Sequence, residues 1–428
     1  MVSTWTTRTE SAPGDRTENA MSEDTNLSPR RRRLTRVVLG VGTLFGLGYL
    51  AYTLFADPAA LGINFDVYRG AVANLWAGNA IYGHSPVADP AFTYRYPPIL
   101  LVWFSAYLLV SPLVGYLLHV AGTLLVGVVL GRVVYRATEQ HGVALTTVDR
   151  LLVIGFVTVG SYVAPSLAYG NINHHIGLAM AAGLVWLSAN QQLRAGATLA
   201  LSALPKVFPA AIGVWLLRQR AWRAIAAALA TGIGALAAGA VLFDPSRTYR
   251  YVTTELLPRA SSGSFSGGLP ASSELVSLRR PLSVVFPSAS ESVLALLALG
   301  IVAPIVAYCY REQVGSRGRL VSLFVTLAGL LIVLPSFSLY WSILVYPLVA
   351  LLYVLDSPAG ELFVVGALVS TLTLKYPDVV FLARSVPLPD SLRRGLLAGV
   401  ETVYTIATPV LWGTAAMIVA CLWWLRTQ

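Results

Sequence analysis

Charge is scarce in this chain, and so are the residues from which most soluble active sites are built. Of 428 residues only 12% are charged while 56% are hydrophobic, which excludes a soluble domain of this length. The two cysteines, Cys309 and Cys421, fall in or at the end of apolar runs, so they supply neither a disulfide framework nor a metal site. No Walker-type glycine loop and no H-E-x-x-H occurs, and Asp66 has no second carboxylate two residues away to complete a metal-holding D-x-D pair. No metal and no cofactor are therefore expected. Lysine is nearly missing: among 30 basic residues only Lys206 and Lys375 are lysines, each followed closely by an aromatic residue and a proline. The net charge of +10 is spread over short loops and one N-terminal arginine run, a pattern of membrane topology and not of a nucleic-acid partner.

What the chain has in quantity is long apolar sequence, with a mean hydropathy of +0.67. The runs are rich in Leu, Ala, Val and Gly without strand alternation, so they read as helices and not barrel strands. The expected fold is an all-α polytopic membrane bundle of roughly 11–13 transmembrane or half-membrane helices. Residues 1–33 read as a disordered tail, and 34–428 as a single membrane domain with outer loops at 57–97 and 244–283. Arg30 to Arg33 and Arg36 precede an apolar span over 37–56. That places the N-terminus in the cytoplasm and the first loop outside the cell membrane.

Further along, 98–135 breaks at Ser111-Pro112 and reads as one effective crossing, which keeps Arg132, Arg136 and Arg150 inside. Spans over 151–169 and 176–190 flank an outer corner, Gly170-Asn171-Ile172-Asn173-His174-His175. Pro205-Lys206-Val207-Phe208-Pro209 then interrupts the run 193–217, predicting two half-helices that meet at Lys206. Later spans are expected over 284–308, 320–335, 340–354, 362–376 and 397–425. The loop 244–283, with its charged residues around the Gly/Ser-rich stretch Ser261 to Gly268, reads as a mobile, polar lid.

The first outer loop carries the candidate catalytic acid. Phe65, Tyr68, Val72, Leu75 and Trp76 recur at helical spacing, which predicts an amphipathic helix at the membrane interface, closed by Gly78, with Asp66 in its first turn. Asp66 is either a general base working at the lipid boundary or simply a helix cap. Burial would raise its basicity, and Arg69, itself a candidate for binding the donor phosphate or sugar, would oppose that. Lys206 lies within a proline-broken helix, where an ammonium is costly and usually functional, the alternative being a side chain that snorkels to the interface. His174 and His175 either contact phosphate or sugar or are solvated turn residues. Arg95, between Tyr94 and Tyr96, suits a sugar face and a phosphate or else an aromatic belt with an anchoring arginine. Tyr340 shares that ambiguity, and Glu274 is a candidate second acid or lid residue.

The order Phe65-Asp66-Val67-Tyr68 with Gly78 and Tyr82, then Tyr94-Arg95-Tyr96-Pro97-Pro98, Gly170-Asn171-Ile172-Asn173 and Pro205-Lys206-Val207-Phe208-Pro209 resembles glycosyltransferase family 87. The likeness covers about residues 37 to 260 of the chain. It implies a GT-C membrane fold and inverting transfer of mannose from a polyprenyl-phosphate donor to a lipid-linked or glycan acceptor outside the membrane. It also implies that Asp66 is the general base, and that Lys206 and the corner with Asn171, His174 and His175 lie near the donor. The chain departs from the family pattern at Ser336 to Trp341 and at Ser272-Ser273-Glu274-Leu275, which touches acceptor choice. A rival from another class is a transporter or lipid-linked sugar flippase with its site around Lys206.

Overall fold

The computed structural model describes residues 28–257, 265, 268–355 and 357–428. Its first helix, α1 (Pro29–Ala56), starts earlier than the expected tail boundary at residue 33, so Arg30 to Arg33 are helical. The reason is local: Pro29 occupies the first turn, and the Ser28 hydroxyl accepts the Arg31 amide at 3.2 Å. The arginines of this end are structural anchors. Arg31 donates to the Leu352 carbonyl at 3.3 Å, Arg32 to that of Ala144 at 3.0 Å, and Arg36 to Asp149 at 2.7 Å. The rest of the expected tail lies outside the described residues.

After α1 the chain forms α2 (Ile63–Trp76), as its periodicity predicts, and Gly78 closes it at φ 72°. Phe65, Tyr68 and Val72 are buried, whereas Trp76 is exposed. The stretch 98–109 is only a short α3 (Leu101–Ser105) between two 3-10 turns, while α4 (Pro112–Glu139) is a long helix. The expectation of one crossing over 98–135 agrees with this. Next come α5 (Thr147–Val159), α6 (Ala164–Ala168), α7 (Asn173–Ser188), α8 (Gln192–Ala203) and α9 (Ile212–Arg218). Then α10 (Trp222–Phe243) leads to α11 (Pro245–Arg250), a π turn at Tyr251–Leu256, and α12 (Arg279–Val285). The remainder is α13 (Glu291–Arg311), α14 (Gly315–Val333), α15 (Val345–Val354), α16 (Ser357–Thr371), α17 (Tyr376–Ser385), α18 (Asp390–Ile406) and α19 (Pro409–Arg426).

The protein is an all-α, multi-pass membrane bundle, with no β-strand among the described residues. Among the described residues six helices (α1, α4, α10, α13, α14 and α19) are long and apolar enough to span a bilayer, and a seventh span results if α16 and α17, bent by 76°, count as one. The expected span over 397–425 is in fact two elements. Ala407 is extended, the Thr408 hydroxyl accepts the Leu411 amide, and Pro409 opens a new helix, so the amphipathic α18 stops before α19 begins. The core lies where α14, α15, α16 and α19 meet; every residue of α15 is buried. Gly366 and Gly413 allow α16 and α19 to approach backbone to backbone, since a Cβ on Gly413 would meet the Gly366 carbonyl.

Helix length sets the depth of the corner at Gly170 to His175. At about 1.5 Å per residue α7 is roughly 24 Å long and α8 roughly 18 Å, short of the ~30 Å hydrocarbon layer. The Tyr49 hydroxyl bonds that of Tyr169 at 2.6 Å, yet α1 continues to Ala56, about 10 Å beyond. The corner after Tyr169 is thus recessed below the end of α1.

Candidate active site

Two left-handed glycines bring α2 and the corner together. Gly62, at φ 73°, turns the chain into α2, and its amide donates to the Ala168 carbonyl at 2.9 Å. The Asn64 amide donates to the Tyr169 carbonyl at 2.9 Å. Gly170, at φ 67°, packs so closely that a Cβ there would strike the Cβ of Phe65. The first turn of α2 is therefore fastened to the corner, and Asp66 is the residue after Phe65. The capping alternative does not hold: the N-cap is Gly62, no side chain caps the helix, and the Asp66 amide already donates to the Gly62 carbonyl at 2.8 Å. The half-buried Asp66 carboxylate accepts no hydrogen bond and forms no ion pair among the described residues. Burial pushes its pKa above the ordinary range, against the opposing pull of Arg69. Arg69 itself donates to the Tyr107 carbonyl at 3.4 Å.

On the other side of the corner the proline-bounded break after α8 delivers Lys206, which is buried. Its ammonium donates to Asn173 Oδ1 at 2.6 Å and Asn171 Oδ1 at 3.4 Å, and lies 4.4 Å from the centre of the Tyr340 ring. Tyr340 in turn stacks on Phe208 at 4.9 Å. Lys206, Asn171 and Tyr340 thus converge at the N-terminus of α7, where the helix dipole and unpaired amides favour anions.

The two corner histidines part company. His174 is fully buried and its Nε2 donates to the Thr158 carbonyl at 2.9 Å, so it ties α7 to α5. His175 is partly exposed, edge-on to Trp103 at 4.8 Å and 6.4 Å from His119. His119, which sequence reasoning missed, sits on α4 with Nδ1 2.9 Å from the Tyr107 hydroxyl and its ring 5.8 Å from Phe65. It joins the Asp66 helix to the corner. A lone histidine in an apolar run carries no signal of such a place. Around it, His119 Nε2, Asn173 Nδ2 and His175 Nδ1 are buried without a partner, polar capacity that a ligand or water can use.

Four other candidates are placed elsewhere. Arg95 is exposed and folds back on its own loop, to the Ala91 carbonyl at 3.0 Å and Thr93 Oγ1 at 3.1 Å. Tyr94 and Tyr96 are buried, not displayed: the Tyr96 hydroxyl meets that of Tyr68 at 3.0 Å, the Tyr96 carbonyl accepts from Tyr82 at 2.9 Å, and Tyr68 stacks on Phe104. They are the aromatic core beneath α2. Glu274 pairs with Lys375 at 2.7 Å, and that ammonium lies 5.9 Å from the Tyr49 ring centre. In the expected lid, residues 258–264, 266 and 267 lie outside the described residues. The segment after them is pinned by buried Arg280, which donates to the carbonyls of Pro270, Ser273 and Leu275 at 2.7, 2.8 and 3.1 Å.

A sequence model of glycosyltransferase family 87 matches residues 92–336. The chain belongs to glycosyltransferase family 87. It is accordingly a multi-pass membrane glycosyltransferase, and the transporter reading gives way to an enzyme. The family 87 match takes in the corner, Lys206 and the loop 244–283. Asp66 and Tyr340 fall outside it, so the match reaches further toward the C-terminus, and starts later, than the resemblance read from the sequence. No curated protein matches the chain.

Proposed function

We propose that this family 87 enzyme transfers mannose from a polyprenyl-phosphate carrier to a hydroxyl of a lipid-linked or glycan acceptor on the outer face of the cell membrane, with inversion. The observation that carries the reading is a partially buried carboxylate, Asp66, without a partner among the described residues, on a turn hydrogen-bonded to the corner whose Asn171 and Asn173 hold Lys206. The acceptor hydroxyl gives its proton to Asp66 as its oxygen attacks the anomeric carbon opposite the phosphate. The bond from that carbon to the phosphate oxygen breaks, and the electron pair leaves with the polyprenyl phosphate. Lys206, fixed by two amide oxygens and the Tyr340 ring, steadies the growing phosphate charge. His175 lies in the first turn of α7, beside the asparagines that hold Lys206. His174 acts through its neighbours, by holding the corner to α5.

The test is transfer of radiolabel from polyprenyl-phosphate mannose to a membrane glycolipid extract by purified protein in lipid. Wild type transfers label and Asp66→Asn does not. Full transfer by Asp66→Asn removes the base assignment, and absence of transfer by wild type removes the donor assignment.

A further inference from the structure

Helix α7 has two ends, and only one belongs to the site above. Its C-terminal end, about 24 Å from Asn173, borders a separate cavity of about 540 Å³, a volume usual for small-molecule sites. The polar wall is formed by Gln140 and His141 after α4, Gln192 at the start of α8, Gln219 after α9, and Arg319 on α14. The apolar wall is Leu184, Leu323 and Trp215.

The polar wall is braced from behind. Gln219 and Gln313 exchange amide hydrogen bonds at 3.1 and 3.3 Å, and the Ser322 hydroxyl donates to Gln313 Oε1 at 3.2 Å while accepting from Trp215 Nε1 at 3.2 Å. Among the described residues no aspartate or glutamate lines the cavity. The acids of the adjoining loops are engaged elsewhere, Glu139 with Arg150 at 2.7 Å and Glu312 with Arg311 at 3.4 Å. The Arg319 guanidinium makes no hydrogen bond or ion pair among the described residues. Burial, and then the nearby charges of Arg317 and Arg319, hold the His141 imidazole below its ordinary pKa. The wall therefore gathers positive potential and amide donors with no anion among the described residues to receive them.

We infer that this cavity is a second binding site, for a ligand with a phosphate monoester on a small body, the phosphate between Arg319 and His141 and the body against Leu184, Leu323 and Trp215. A guanidinium, an imidazole and carboxamides offer more donors than a carboxylate's two oxygens need, and suit the three terminal oxygens of a phosphate. The same phosphate chemistry comes from a lipid headgroup or from a water-soluble metabolite.

Calorimetric titration of purified protein in phosphatidylcholine nanodiscs, with short-chain phosphatidic acid and separately with glycerol 3-phosphate, tests this. At least one ligand binds wild type saturably. Arg319→Ala combined with His141→Gln weakens that binding about tenfold or more, since it removes charge-assisted hydrogen bonds. Ser316→Trp, a bulky change at the cavity rim, weakens it as well without removing charge. Lys206→Met leaves it unchanged. Phosphatidic acid alone binding assigns a lipid source; glycerol 3-phosphate binding assigns a soluble one. Absence of saturable binding by either, binding that survives in either cavity variant, or loss of binding in Lys206→Met overturns the inference.

Discussion

Asp149 and Asp66 both sit in the first turn of a helix too short to cross a bilayer alone, and the fold treats them in opposite ways. Asp149 is fully buried and fully served. Its carboxylate accepts the Thr146 amide at 3.0 Å, the Thr146 hydroxyl at 2.8 Å and Arg36 Nε at 2.7 Å, closing a capping box that ties α5 to α1. Burial pushes its pKa upward, but the bonds from Arg36 and Thr146 outweigh it and the net shift is downward. Asp66 has burial with only the distant pull of Arg69, so its net shift is upward. A carboxylate wrapped in donors is a poor base and a good tie, whereas one with open lone pairs and raised basicity is equipped to receive a proton. The two lysines repeat the contrast: Lys375 is closed by Glu274, while Lys206 is held by neutral amide oxygens and a ring face.

The sharpest way to break this comparison is to neutralise both acids. Asp66→Asn should lower transfer by about 10²–10⁴-fold, the usual worth of a general base, and leave the thermal unfolding midpoint in detergent unchanged. A large loss of stability would place Asp66 among the ties. Asp149→Ala should do the reverse, destabilising by about 2–4 kcal/mol through loss of a buried, hydrogen-bonded pair with a partly exposed arginine. A thermal unfolding series on wild type and variant measures this. Next in size, Lys206→Met should reduce kcat/KM for the polyprenyl-phosphate donor by about 10–100-fold, with Lys206→Arg recovering part of it and Lys375→Met showing little loss.

The sequence made some of this arrangement readable because the signals are local. Helical spacing in Phe65 to Trp76, the proline pair around Lys206 and the polar corner after Gly170 each act within a few residues, and each appears where expected. The Thr408-Pro409 helix start is equally local and splits what reads as one apolar span. The remainder depends on distant partners. Whether Tyr94 and Tyr96 face a ligand or a core is decided by Tyr68, Tyr82 and Phe104. Arg95 is turned outward by hydrogen bonds within its own loop. His119 gains its place only when α4 packs beside Phe65 and the corner, and no spacing along α4 encodes that.

The smallest expected effect is also the one that separates the two acids most cleanly, because both are protonated on acidification but their pKa values are shifted in opposite directions. A general base works only when ionised, so kcat/KM should fall on acidification through the Asp66 pKa, which burial has raised above the ordinary carboxylate range. Asp149 has a lowered folded pKa, so its contribution to stability is complete above its unfolded value and is lost only as pH falls through the folded one. Activity should therefore fail at a higher pH than that at which the α1–α5 tie loosens. Arg69→Gln removes the charge that holds Asp66 down, and should move the acidic limb of the kcat/KM profile to higher pH while the acid unfolding midpoint stays in place. If the limb does not move, the titrating group is not Asp66; if both transitions move together, the loss of activity reports unfolding and the two carboxylates are not functionally distinct.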